Sequence, residues 1–238
     1  MRINKYLAVK QIASRRKADE LIRAGRVSIN GRKAKLGDQV EEKDKVALKK
    51  DVHDISPIYF AYNKPKGVLT HSAKGEEMDI EKMVKGKTEG IRVFPLGRLD
   101  KDSHGLIILT NDGRITGKLL NPEENHEKEY LVETKEKLRT DFAQIMERGI
   151  VIREEYSKET YRTKPCIVTI LGAKKFSITL TEGKKRQVRR MVESLQNEVR
   201  DLMRIRVMNI ALKSQPENTV RRLKGAELTQ FLQDLGMH

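Results

Sequence analysis

Apolar residues fall into two regimes along the chain. Up to about position 48 they come in short bursts among basic residues. Ile3, Tyr6 and Leu7 stand at helical spacing, and Ala18, Leu21 and Ile22 make a second stripe. That stripe predicts a helix over 15–24, N-capped by Ser14 and stopped by Gly25. Val27 and Ile29 then alternate ahead of Asn30-Gly31, a pair suited to the two positive φ angles of a tight hairpin turn. A weak strand around Val46–Leu48 follows, and a hydrophilic stretch reaching Ser56-Pro57 reads as a linker. Past it the runs lengthen and alternate, with strand-like segments at 58–62, 105–110, 129–134, 167–171, 176–181 and 205–212. Helical spacing intervenes at 140–149, 186–195 and 226–235. Neither a βαβ rhythm nor an internal repeat is visible, so the order of elements implies an α+β fold with a largely antiparallel sheet. The division expected is residues 1–48, a linker over 49–56, and a larger domain over 57–238.

Charge changes this picture at one end only. The 238 residues are 37% hydrophobic, enough for a core, and carry a formal net charge of +15. Residues 1–35 hold eleven Lys/Arg against Asp19 and Glu20, whereas residues 36–50 balance to zero. A charge concentrated on two small helices and a hairpin is an electrostatic footprint for a polyanion. Arg15, Arg16, Lys17 and Arg23 lie largely outside the apolar stripe of the second helix. A lipid surface would need a large apolar face beside such a patch, and none accompanies it. No run approaches the roughly 20 apolar residues that span a bilayer, and the first residues lack a leader's apolar core. One cysteine, Cys166, allows no internal disulfide and fits a reducing compartment. Cytoplasm is the expected location, and a monomer the expected state.

Most familiar chemistries find no footing. The five histidines are scattered and a lone cysteine offers no zinc spacing, so no metal is expected. Neither GxxxxGK[ST] nor GxGxxG after a strand occurs, so no nucleotide cofactor is expected. The informative stretch is Pro95-Leu96-Gly97-Arg98-Leu99-Asp100-Lys101-Asp102-Ser103-His104-Gly105, which leads into LIILTNDG. A carboxylate in a Gly-flanked loop beside a buried strand can be held rigidly and still meet a ligand. Taken alone, Asp100 reads as a turn or cap residue.

Longer words around it carry a resemblance. The run RINKYLAVKQIASRRKADELIRAGRVSINGRKAKLGDQV resembles an S4 domain, a small RNA-binding module. GRLDKDSHGLIILTND resembles the catalytic motif of pseudouridine synthases of the RsuA/RluB/RluF family. NKPKGV at 63–68, KEYLV at 128–132 and LTEGKKRQVRRM at 180–191 follow the family's order, and EVRDLMRIRVMNIAL is most similar to the RluF-type large-subunit branch. The resemblance implies an S4 domain joined to a catalytic domain whose mixed, mostly antiparallel central sheet is flanked by helices. It also implies isomerisation of a uridine in structured RNA, 23S rRNA with tRNA left open, and no cofactor. A non-catalytic S4-containing assembly factor is the rival reading; it would not need Asp100, Tyr130 and Arg189 together.

What the resemblance implies for single residues is specific. Asp100 would be the covalent catalyst, attacking the sugar C1′ or the base C6. Arg189 would form an ion pair with it and keep it ionised, and Tyr130 would stack on the base. Arg98 would enter the RNA and help hold the uridine out of its stack. Leu99, Lys101, Arg186, Gln187 and Arg190 complete the RNA-contacting set there. Arg15, Arg16, Lys17 and Arg26 would hold phosphates on the S4 unit, an anchor that carries no sequence information. The likeness departs at His104, where relatives often carry Gln; that histidine reads as a loop residue facing solvent.

Overall fold

The computed structural model describes residues 1–10, 12–13, 15–49, 56–71, 77–154 and 159–237. Two compact bodies emerge, one of Met1–Ile58 with Asn111–Lys118, the other of Tyr59–Thr110 with Leu119–His238. In the first, α1 (Ile3–Val9) and α2 (Arg15–Arg23) precede β1 (Val27–Ile29), β2 (Arg32–Lys33) and β3 (Val46–Leu48), ordered β2-β1-β3. The expected stripe of α2 is the buried one: Ala18, Leu21 and Ile22 pack with Ile3 and Leu7. Asn30 and Gly31 take φ of 50° and 81° between Ile29 and Arg32, as a tight hairpin requires. Ser14, expected as the N-cap, and most of the expected linker lie outside the described residues.

The larger body contains β4 (Tyr59–Lys64), α3 (Ile80–Met83), β5 (Phe94–Leu96), β6 (His104–Thr110), the end of α4 (Ile115–Leu120) and β7 (Lys128–Thr134). It continues with α5 (Phe142–Glu147), β8 (Val151–Arg153), β9 (Thr160–Arg162), β10 (Ile167–Gly172), β11 (Lys175–Leu180) and α6 (Gln187–Glu193). Last come β12 (Val199–Val207), β13 (Ile210–Ala211), β14 (Val220–Arg222) and α7 (Gly225–Asp234). The main sheet runs β10-β11-β7-β12-β6-β4-β14, with β5 on β6 and β13 on β12. Its pairs are antiparallel except β12 with β6, so the sheet is mixed and mostly antiparallel. Beneath α5 and α6 lies a core built from Val132, Phe176, Ile178, Leu180 and Leu202 on the strands and Phe142, Met146, Val188, Met191 and Val192 on the helices.

One strand differs from its sequence reading. The run expected at 205–212 is a nine-residue strand, Val199–Val207, followed by a turn into β13. Irregularities between Val199 and Asp201 and between Arg204 and Arg206 break its alternation against β7, which hides its start from a period-two reading. The parallel register sets Arg204 against Gly105, whose φ is 103°. A Cβ at Gly105 would overlap the Arg204 carbonyl oxygen, so only glycine lets β12 approach β6 here.

Candidate active site

The segment 98–103 joins β5 to β6 and is held through its main chain. The Thr70 hydroxyl donates to the Leu99 carbonyl at 2.6 Å and accepts from the Leu99 N–H at 3.0 Å. Arg204 Nη1 donates to the Arg98 carbonyl at 3.3 Å, and its Nε to Leu106 O at 2.7 Å. Ser103 N–H closes a turn onto Asp100 O at 3.1 Å, and Gly67 N–H reaches Lys101 O at 2.8 Å. Arg189 Nη2 donates to Asp102 O at 3.0 Å. All five carbonyls from Arg98 to Asp102 therefore have a donor. A loop so fully bonded has a single conformation to offer a ligand.

NKPKGV supplies part of this frame. Lys64, at the end of β4, is fully buried, and its ammonium donates to Pro65 O and Val68 O at 2.9 and 2.8 Å. That bonding folds the turn so that Gly67, at φ 80°, can present its N–H to Lys101 O. Burial, with the Arg204 charge, lowers the Lys64 ammonium to about 8 against the pull of Asp100 and Asp102.

Inside the frame the Asp100 carboxylate has no hydrogen bond or ion pair among the described residues, and it lines a cavity of about 350 Å³. That is the size range of a small-ligand pocket. Tyr130, Lys128, Arg204, Arg186, Leu120 and Glu182 are among its other walls. Strand alternation accounts for part of the lining, since Lys128 and Tyr130, two apart on β7, share a face. Tyr130 stands cross-strand from Arg204 on one side and Ile178 on the other.

The expected ion pair between Asp100 and Arg189 is not formed. Arg189, only 7% exposed, forms its ion pair with Asp102, Nε lying 3.2 Å from Oδ2 without a hydrogen bond, while Nη2 donates to Ser103 Oγ at 3.2 Å and Nη1 to Val199 O at 3.3 Å. Arg186 joins the same Asp102 carboxylate at 3.0 Å. The turn closed by Ser103 N–H brings Asp102, not Asp100, over the start of α6. Burial lowers the Arg189 pKa, with Asp102 the strongest opposing influence and Asp100 a weaker one.

Other anticipated contacts have varied surroundings. Arg98 is exposed at the cavity rim, and exposed Lys101 pairs with Glu77 Oε1 at 3.0 Å. Leu99 is buried. Gln187 is buried too, its amide donating to Glu182 Oε1 at 2.6 Å and accepting from Lys184 N–H at 3.0 Å, so it closes the loop before α6. Arg190 donates to Arg153 O and Lys185 O at 2.5 and 2.6 Å. In the first body Arg15, Arg16 and Lys17 are exposed on α2, Lys17 meeting Glu20 at 3.3 Å. Arg26 instead donates to Lys49 O. His104 is not a solvent-facing loop residue: it opens β6 with Nε2 3.1 Å from both Asp201 carboxylate oxygens, and Lys66 pairs with that carboxylate as well.

Sequence reasoning missed Thr70, Asp102 and Arg204 as parts of this frame. Of these only Arg204 left a trace, two positions from Leu202 on β12, and the charges at Arg200, Asp201 and Arg206 on the same strand obscure it.

The model of the RNA pseudouridylate synthase family matches residues 58–194, and that of the S4 domain residues 1–46. The dual-specificity RNA pseudouridine synthase RluF of Escherichia coli K12 is 39% identical over 234 residues, 96% of this chain and 77% of that protein. The ribosomal large subunit pseudouridine synthase B of Bacillus subtilis 168 is 34% identical over 237 residues, 97% of this chain and 95% of that one. A crystal structure of a pseudouridylate synthase superposes with a TM-score of 0.68 at 28% identity, covering 99% of both chains.

Proposed function

This chain belongs to the RNA pseudouridylate synthase family, and on that premise we propose that it isomerises one uridine of 23S rRNA with Asp100 as the covalent catalyst. The observation carrying this reading is a carboxylate without a protein partner among the described residues, on a loop whose carbonyls from Arg98 to Asp102 are all bonded. A nucleophile needs such a setting, with its position fixed by neighbours and its own lone pairs left for the substrate. Tyr130 in the same cavity is placed to stack on an extruded pyrimidine. Arg189 and Asp102 act one step away, as positioning residues that hold the end of the loop. The basic α2 face, with the rest of residues 1–48, serves as the anchor on RNA phosphates, and residues 57–238 as the catalytic domain. The enzyme works as a monomer in the cytoplasm, on ribosomal RNA that is still accessible.

The test is pseudouridine mapping of rRNA and tRNA from a strain lacking the gene, complemented with the wild type or Asp100→Asn. A single 23S site lost on deletion is regained with the wild type and not with the variant. A variant that restores the site removes Asp100 from the chemistry. tRNA is mapped as well because the RluF relative is named for dual specificity; a second site in tRNA would extend the target range in the same direction.

A further inference from the structure

Lys128 stands in the cavity without a counter-charge among the described residues. Its ammonium makes one hydrogen bond, to His126 O at 3.0 Å, which leaves two of its three protons without an acceptor among the described residues. Both cross-strand neighbours are apolar, Leu180 on β11 and Val207 on β12. The adjacent acids turn elsewhere: Glu127 and Glu129 bind Arg206 at 2.9 and 2.8 Å. Of the cavity's own acids, Glu182 is engaged by Gln187 and the Lys164 N–H, and Asp100 makes no ion pair with Lys128 among the described residues. The charge that lowers the Lys128 ammonium further is another cation, Arg204.

A half-buried cation beside a second cation is unfavourable on its own terms. Burial and Arg204 together lower the Lys128 ammonium to about 8. An anion arriving in the cavity would relieve both contributions. The proposed reaction generates one there. When the N1–C1′ bond breaks, its electron pair stays with the base. In the route through C1′, a carboxylate oxygen of Asp100 takes C1′ as an ester and the free uracil carries a negative charge shared among N1, O2 and O4. The base turns, C5 bonds to C1′ as the ester bond breaks, C5 loses its proton and N1 gains one, so the composition is unchanged. Attack at C6 also leaves the N1–C1′ pair on the base.

We propose that Lys128 is a catalytic residue whose ammonium binds a carbonyl oxygen of the pyrimidine and stabilises the charge the base carries while detached from the sugar. This rests on the pseudouridine synthase reading above and names the residue that completes it. Strand geometry supports the placement, because Lys128 and Tyr130 share one face of β7 and a base stacked on Tyr130 would present its edge along that face. Arg204 spends its Nε and Nη1 on Leu106 O and Arg98 O and is buried, so its part is to hold the loop. It adds positive potential and orients the loop.

The experiment compares wild type, Lys128→Met and Lys128→Arg in single turnover on 23S rRNA from the deletion strain, with RNA affinity measured by filter binding. Met keeps an unbranched stem of about the same reach and removes the charge. Loss of one preorganised donor to a developing charge slows the chemical step by about 100- to 1000-fold. We expect that loss for Lys128→Met at saturating RNA, RNA affinity within about threefold of wild type, and recovery of at least tenfold in Lys128→Arg. A Lys128→Met enzyme at the wild-type rate overturns the proposal. So does a deficit that saturating RNA removes, which would make Lys128 a phosphate contact. If Lys128→Met does not fold, Lys128→Gln carries the same comparison. Failure of the wild type to make pseudouridine in any rRNA or tRNA would overturn the functional reading with it, whereas equal rates in wild type and variant overturn the role of Lys128 alone.

Discussion

The Thr70 hydroxyl bonds both the N–H and the carbonyl of Leu99, at 3.0 and 2.6 Å, and so holds the peptide units that flank the residue before Asp100. Thr70→Val keeps the shape and removes both bonds, stranding a buried donor and acceptor. A loss of about 1–3 kcal/mol in unfolding free energy is expected. Single-turnover rate should fall by about 10- to 100-fold, because a small displacement of the carboxylate costs on that scale. Thr70→Ser should recover most of both, and urea titration with rate measurement checks the pair.

Gly105 faces the backbone of Arg204 at a φ closed to other residues. Gly105→Ala must part β6 from β12 or strain both. We expect a destabilisation of about 3 kcal/mol or more, the size reserved for core strain. Wild-type stability of this variant in urea would show that the two strands can separate without cost.

Arg189 and Asp102 make an unequal pair. Asp102→Asn keeps the main-chain carbonyl that Arg189 Nη2 binds, and its carboxylate is 46% exposed, so less than about 1 kcal/mol should be lost. Arg189→Lys removes the fork that reaches Asp102 O, Ser103 Oγ and Val199 O together, and should cost about 2 kcal/mol and slow turnover more than Asp102→Asn. Thermal unfolding of both variants decides the ranking.

Lys128 also makes stability depend on pH in a definite direction. Its folded pKa of about 8 lies below the ordinary lysine value of 10.5, so between these limits the unfolded chain binds more protons. Stability from this group therefore rises with pH through that window. The unfolding free energy of wild type minus that of Lys128→Met should increase from pH 8 to pH 10. A flat or falling difference would mean that the ammonium is not desolvated in the cavity.

Much of this arrangement was legible in the sequence and part of it could not be. The Asn30-Gly31 hairpin, the α2 stripe and the loop bearing Asp100 each depend on neighbours in the chain, where local chemistry speaks directly. The partner of Arg189 does not. A turn of one hydrogen bond, Ser103 N–H to Asp100 O, decides that Asp102 and not Asp100 meets α6. Arg204 was hidden because an irregularity in β12 falls beside it, and Lys128 because a strand lysine ordinarily faces water. Thr70 has no local signal, since its partner is 29 positions away.

The donors that hold the Asp100 loop are spread from Gly67 to Arg204, and the last of them enters on a strand made near the end of the chain. During synthesis the residues 97–100, GRLD, emerge long before β12 can lie beside β6, a long-range parallel pairing that closes late. Until then Asp100 sits on a loop whose position is not yet fixed. If the first segment anchors RNA as proposed, a partly made chain would hold RNA before it could alter it.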